Sequence, residues 1–302
     1  MNFQDISGII VVDKPEGKTS TYIDNILKKK LRTKVGHIGT IDVFASGVLP
    51  LAISKATKFI PYIIDKDREY IAEILLGKRT ITDDITGEEI YSCPPDVLKD
   101  LREEEVISVL KKFEGIIEQV PPYFSAKKYM GQPLYLWARE KGKFLELTPS
   151  KVTIYRIDII KIQIPIVKIR VISSGGMYVR ALARDVGDSL QVNGVKVGGT
   201  LKSLRRIRCS IFTESDAIPA DVIKNSTPEE IKKYIKKVTP EMLDMRKIIL
   251  REQDIQRIKN GAPPKVKIQG AVGEYCALCD ESSNIVAIGK VKNSGIIVKR
   301  VI

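Results

Sequence analysis

Lys34-Val-Gly-His-Ile-Gly-Thr-Ile-Asp-Val-Phe-Ala-Ser-Gly-Val-Leu49 holds three glycines, one histidine and one acid between two regular elements. Glycine permits tight backbone geometry and close approach of a ligand. A lone aspartate in such a loop is by default a turn or cap residue. Asp42, however, is flanked by Ile41, Val43 and Phe44. A carboxylate held among apolar groups needs a charge partner or a chemical task. His37 is the chain's single histidine, which excludes triads and metal sites built from several histidines.

The flanking sequence reads as alternating strands and helices. Residues 8–12, Gly-Ile-Ile-Val-Val, are a short apolar run that fits a buried strand, and Asp13-Lys-Pro-Glu-Gly17 follows as a turn. Thr19 or Ser20 can cap a helix whose apolar positions Ile23, Ile26, Leu27 and Leu31 keep helical spacing. Residues 48–53 and 70–76 read as further strands. Val106, Val109, Leu110 and Phe113 mark an amphipathic helix. Residues 151–173 are dense in isoleucine and valine and predict two or three adjacent strands; residues 178–190 predict a helix. The mixture implies an α+β fold around a central, mostly antiparallel sheet flanked by helices. Near residue 250 the pattern changes to a short helix, 252–259, stopped by Asn260-Gly261, and then to short strands with Gly and Asn turns.

The chain has 302 residues, enough for one large domain with a small one beside it. Its 50 basic residues against 37 acidic ones leave a net charge of +13, which suits a polyanionic partner, nucleic acid above all. No apolar run reaches the length of a membrane span, and the first residues lack the layout of a secretion signal. A cytoplasmic protein is expected. Four cysteines are too few for a disulfide framework at this length. Cys276 and Cys279 form a C-x-x-C pair, but on a strand residues three apart face opposite ways, and no second pair completes a zinc site. Gly17-Lys18-Thr19 has the ending of a phosphate-binding loop, yet Val12 stands where that loop needs glycine.

The motifs in order resemble the TruB family of tRNA pseudouridine synthases. They are Gly8-Ile-Ile-Val-Val-Asp-Lys-Pro-Glu-Gly-Lys-Thr-Ser20; Gly36-His-Ile-Gly-Thr-Ile-Asp42 with Ser46-Gly-Val-Leu-Pro50; Leu76-Gly-Lys-Arg-Thr-Ile-Thr-Asp-Asp-Ile-Thr-Gly87; Gln119-Val-Pro-Pro-Tyr-Phe-Ser-Ala-Lys-Lys-Tyr129; Gly175-Gly-Met-Tyr-Val-Arg180; and Leu204-Arg-Arg-Ile207. Each is moderately specific, and together they span nearly the whole chain. The resemblance implies a catalytic domain over residues 1–249, an RNA-clamping insertion over 121–148 and a PUA-like RNA-binding domain over 250–302.

It further implies conversion of the tRNA T-loop uridine to pseudouridine on a base flipped out of its stack. That reaction breaks a C–N glycosidic bond and rejoins the base through carbon, so it requires no cofactor and no metal. By resemblance Asp42 is the nucleophile or base, Arg180 its guanidinium partner, and Tyr70 the aromatic against the target base. His37, Lys14, Lys127, Lys128 and Asp84 are the expected RNA contacts, although Thr82-Asp-Asp84 reads equally as a turn. The insertion mixes Lys127, Lys128, Arg139, Lys141 and Lys143 with Tyr129, Tyr135 and Trp137, aromatics that can stack on bases or pack the insertion down. The implied partner is the T arm of tRNA, bound by a monomer that needs no other protein. An RNA-guided relative and a tRNA-folding chaperone are the rival readings. The chain departs from the family pattern at Val43, where proline is usual, and at Ile38, Phe44 and Ser46. Losing that proline frees one backbone dihedral beside Asp42.

Overall fold

The computed structural model describes residues 6–63, 66–141, 147–266, 271–293 and 295–302. We label thirteen of its strands and four of its helices. They are β1 (Gly8–Lys14), α1 (Ser20–Leu31), β2 (Val35–His37), β3 (Ser46–Ile53), β4 (Arg68–Leu76), α2 (Glu103–Lys112), β5 (Gly115–Gln119), β6 (Ser150–Gln163), β7 (Ile166–Ser173), α3 (Val179–Ser189), β8 (Gly199–Cys209), β9 (Ile218–Pro219), β10 (Arg246–Ile249), α4 (Glu252–Lys259), β11 (Tyr275–Cys279), β12 (Ile285–Lys292) and β13 (Gly295–Val301).

The main sheet runs β9-β1-β3-β8-β4-β7-β6-β5, with β2 on β3 and a short strand, Phe212–Thr213, on β8. Its pairings are antiparallel except β1 with β9 and β3 with β8, so the expected mostly antiparallel sheet is present. The isoleucine-rich stretch forms two long strands, β6 and β7. Thr19 caps α1 by accepting a 3.0 Å bond from the Tyr22 amide, and α1 buries Ile23, Leu27 and Leu31. No helix among the described residues is long and apolar enough to cross a membrane.

The small unit is a four-stranded sheet, β10-β11-β12-β13, with α4 beside it. Its first strand, Arg246–Ile249, pairs in parallel with β11, so the sheet begins just ahead of the boundary expected at residue 250. The sequence carries no turn cluster there; the strand is recruited by pairing with residues about 30 positions further on. Cys276 and Cys279 point into different apolar clusters, as their strand spacing requires. Burial pushes both thiols up to about 11.

One of those clusters is shared. Ile9, Val11, Val48, Ala52, Phe59 and Phe212 of the large unit pack with Val238, Leu243, Ala277, Cys279 and Ile285. Alternate residues of β1, Ile10 and Val12, belong to the main core on the opposite face. β1 is therefore covered on both sides, which explains an unbroken apolar run where a half-exposed strand would alternate.

Helix α3 lies against β8 with almost no clearance. A Cβ at Gly187 would stand 2.0 Å from the Gly199 amide nitrogen, and the Gly198 amide donates to the Gly187 carbonyl at 2.9 Å. Gly187→Ala is expected to lift α3 off the sheet and cost about 1–3 kcal/mol of stability, read as a lower urea midpoint. An unchanged midpoint would show that the contact has room to spare.

Candidate active site

β2 and β3 form a hairpin whose connection, residues 38–45, is the glycine-framed loop. Its position follows from how β3 shares one edge. The last three residues of β3 pair with β2, while its first two pair with β8. The loop sits in the split between them. Gly47 makes the split possible: it has φ of 112°, and a Cβ there would lie 2.2 Å from the Arg206 carbonyl oxygen.

Four side chains or amides pin the loop. Arg206 is fully buried and donates to the Val48 carbonyl at 2.8 Å and to the Gly39 carbonyl at 3.0 Å. The Ser20 hydroxyl, at the start of α1, accepts from the Ile41 amide at 3.0 Å and lies 3.2 Å from its carbonyl. The Gly17 amide donates to the Val43 carbonyl at 2.8 Å. The Lys14 ammonium donates to the carbonyls of Lys18, Pro15 and Val43 at 2.7, 2.9 and 3.4 Å. Asp42 thus lies between two residues with fixed backbones. Of its apolar neighbours Ile41 is buried, Phe44 half-buried and Val43 exposed.

Arg180, in the first turn of α3, meets Asp42 side-on. Its Nε donates to Oδ2 at 2.9 Å and its Nη2 to Oδ1 at 2.8 Å, a bidentate, charge-assisted pair. The Arg180 side chain is 4% exposed and that of Asp42 is 34% exposed. Arg180 also donates to the carbonyls of Thr82 at 3.0 Å and Phe124 at 3.1 Å, and its Nη1 stands 3.7 Å from Asp84 Oδ2. The cation lies beneath, and the carboxylate faces the opening. One turn further along α3, Arg184 donates to Asp83 Oδ2 and to the Val120 carbonyl, both at 2.9 Å.

The sequence-expected residues divide. Asp42 and Arg180 are brought together. Tyr70 sits near the start of β4, buried, between Val171 and Arg206 of the neighbouring strands. His37 bonds through Nδ1 to Asp24 Oδ2 at 2.9 Å and through Nε2 to Thr40 Oγ1 at 3.1 Å; it braces the loop against α1 and keeps a partly open face. Lys127 is exposed, with its ammonium on Ser150 Oγ at 2.7 Å. Lys128 opens a two-residue strand, but its side chain lies outside the described residues, as do the side chains of residues 138–141 and all of residues 142–146.

Two expected RNA contacts are corrected. Lys14 has no exposed surface and spends its donors on three loop carbonyls, so it is an internal strut. Asp84 is buried, and its Oδ1 accepts from the Thr86 amide at 3.0 Å and from the hydroxyls of Thr82 and Thr86 at 2.9 and 2.5 Å. It closes a turn and presents its other oxygen toward Arg180, so the turn reading wins. In the insertion Tyr129 and Trp137 pack edge to face at 5.8 Å, which makes them packing groups for one another. The sequence reading passed over Arg206 and Ser20 as partners of the loop; each sits inside a quoted motif, but its bond spans 20 or more positions.

A half-open carboxylate clasped by a buried guanidinium thus stands at a split in the mixed sheet. A chain of a solved Cbf5-Nop10-Gar1 complex has the same fold, with a TM-score of 0.71 and 26% identity over all of this chain and 86% of that one. The fold is that of a pseudouridylate synthase. The model of the TruB family pseudouridylate synthase N-terminal domain matches residues 25–179. A relative from Clostridium kluyveri, tRNA pseudouridine synthase B, is 36% identical over 85% of this chain and 84% of its own. The protein of the same name from Francisella philomiragia is 39% identical over 76% of this chain and 74% of its own. The chain belongs to the TruB family.

Burial pushes the Lys14 ammonium down to about 8, against the upward pull of Asp42. The unfolded chain, with its lysine at the ordinary 10.5, therefore binds more protons than the folded one between about pH 8 and 10.5, and Lys14 adds stability as pH rises through that window. Relative to a Lys14→Met variant, the wild type is expected to gain denaturation midpoint between pH 7.5 and pH 10. Parallel midpoint curves for the two proteins would refute the assignment.

Proposed function

We propose that this enzyme isomerises the T-loop uridine of tRNA, position 55, to pseudouridine, with Asp42 as its reacting group. The observation that supports this most directly is the side-on Arg180–Asp42 pair, whose cation is buried and whose carboxylate is half-open. The isomerisation breaks the bond from C1′ to N1 of the base and forms one from C1′ to C5. The C5 hydrogen leaves as a proton and N1 gains one, so atoms and electrons balance within the substrate. Asp42 supplies the nucleophilic or basic oxygen, and Arg180 fixes its orientation and compensates its charge. Tyr70 forms the floor under the target base. The net charge of +13 and the exposed Lys127 favour the phosphates of a T arm gripped by the insertion and by the PUA-like C-terminal unit. The enzyme works as a cytoplasmic monomer on RNA alone, and relatives named tRNA pseudouridine synthase B support tRNA as that RNA.

Purified protein is expected to convert one uridine in a T-arm stem-loop, at a rate unchanged by chelator once the RNA is folded. Asp42→Asn should slow single turnover by about 10⁴-fold or more while leaving RNA affinity within about threefold, and affinity should fall steeply with salt. Product from the Asp42→Asn variant at the wild-type rate would remove Asp42 from the chemistry. Conversion that appears only when a guide RNA and partner proteins are added would establish the guided reading instead.

A further inference from the structure

The insertion leaves and re-enters the sheet at one point. Gln119, the last residue of β5, is paired with Ser150, the first of β6, so the two residues form the neck of everything between them. Lys127 reaches back to the same Ser150. From this neck the Gln119 side chain turns inward, 1% exposed, and bonds the Tyr178 backbone reciprocally. Its Nε2 donates to the Tyr178 carbonyl at 3.2 Å, and its Oε1 accepts from the Tyr178 amide at 2.9 Å.

Tyr178 is the residue on which α3 begins, and it has no side-chain cap of its own. Two residues on stands Arg180. The carbonyls that follow Gln119 continue the tie: Val120 accepts from Arg184 and Phe124 from Arg180. Four donor–acceptor bonds thus join residues 119–124 to the start and first two turns of α3, and they orient the Arg180 that clasps Asp42. A primary amide suits this place because it offers one donor and one acceptor side by side, as a strand neighbour would.

We propose that Gln119 is a positioning residue that couples the neck of the RNA-gripping insertion to the Arg180–Asp42 pair. This rests on the reading of that pair as the reacting site. A grip on RNA that tilts the insertion pulls on α3 through Gln119, so substrate engagement and the aim of the carboxylate are mechanically one event. A displacement of the pair by a fraction of an ångström is enough to slow the chemical step.

Gln119→Ala removes both bonds. It is expected to slow single turnover on a T-arm stem-loop by about 10- to 100-fold at saturating enzyme, with RNA affinity within about threefold. Gln119→Glu keeps the acceptor for the Tyr178 amide but supplies a donor only when protonated. Its rate should therefore climb toward wild type as pH is lowered, a profile that Gln119→Ala should not share. Without RNA, amide hydrogen exchange in the first turn of α3 should quicken in Gln119→Ala while the rest of the main sheet keeps its protection. A wild-type rate in Gln119→Ala, unchanged exchange in α3, or identical pH profiles for the two variants would overturn the coupling. Inactive wild type with the exchange effect intact would instead sink the reading of the reaction and leave the mechanical tie standing.

Discussion

A guanidinium buried under a half-open carboxylate is the constraint around which this molecule is arranged. Taking Arg180 out of water is costly, and only a full set of acceptors offsets the loss. Asp42, the Thr82 and Phe124 carbonyls and the more distant Asp84 provide that set. They come from three separate stretches of chain, the hairpin loop, the 82–84 turn and the root of the insertion, which meet on α3. Each stretch must be in place for the cation to be tolerated, so the loop with Asp42 is held by the same interactions that keep Arg180 satisfied.

Much of this was readable in advance, for reasons that vary with the element. α1 announced itself through Thr19 and the spacing of Ile23, Leu27 and Leu31, because capping and helical period are local. The strand read over 48–53, which begins at Ser46 in the structure, and the β6–β7 pair were equally local, as runs of apolar residues. Asp42 and Arg180, 138 positions apart, came together only through resemblance, since no local pattern carries a contact of that range. Lys14 was misassigned as an RNA contact because a motif position says nothing about burial. A signal did exist: Lys14 shares strand parity with Ile10 and Val12, both in the main core, so its stem had to enter the interior. Asp84 was divided between turn and site, and the three donors on its Oδ1 decide for the turn. Gln119 and Arg206 were quoted in motifs without roles, because their bonds run to backbone atoms far along the chain.

The split edge of β3 shows how sheet topology makes room for chemistry. A strand paired along its whole length leaves no place for a loop between neighbours. Here β8 leaves β3 after two residues, and Arg206 crosses the gap to hold Gly39 and Val48. The gap presents Asp42 at the surface while the Ile41 amide and the Val43 carbonyl beside it are occupied. Val43, where the family pattern has proline, keeps its carbonyl bonded to Gly17 and Lys14. The rigidity that proline would give through its ring is here carried by hydrogen bonds.

The C-terminal unit supplies one wall of the cluster that covers the outer face of β1. It is therefore not an interchangeable cassette hung on a tether. A recombinant that exchanged it for the equivalent piece of a distant relative would have to import matching partners for Ile9, Val11 and Phe59 as well as a matching RNA surface. Descent should accordingly have kept the two parts in step, with substitutions at Ala277, Cys279 or Ile285 answered in β1 and in residues 56–63 across the seam.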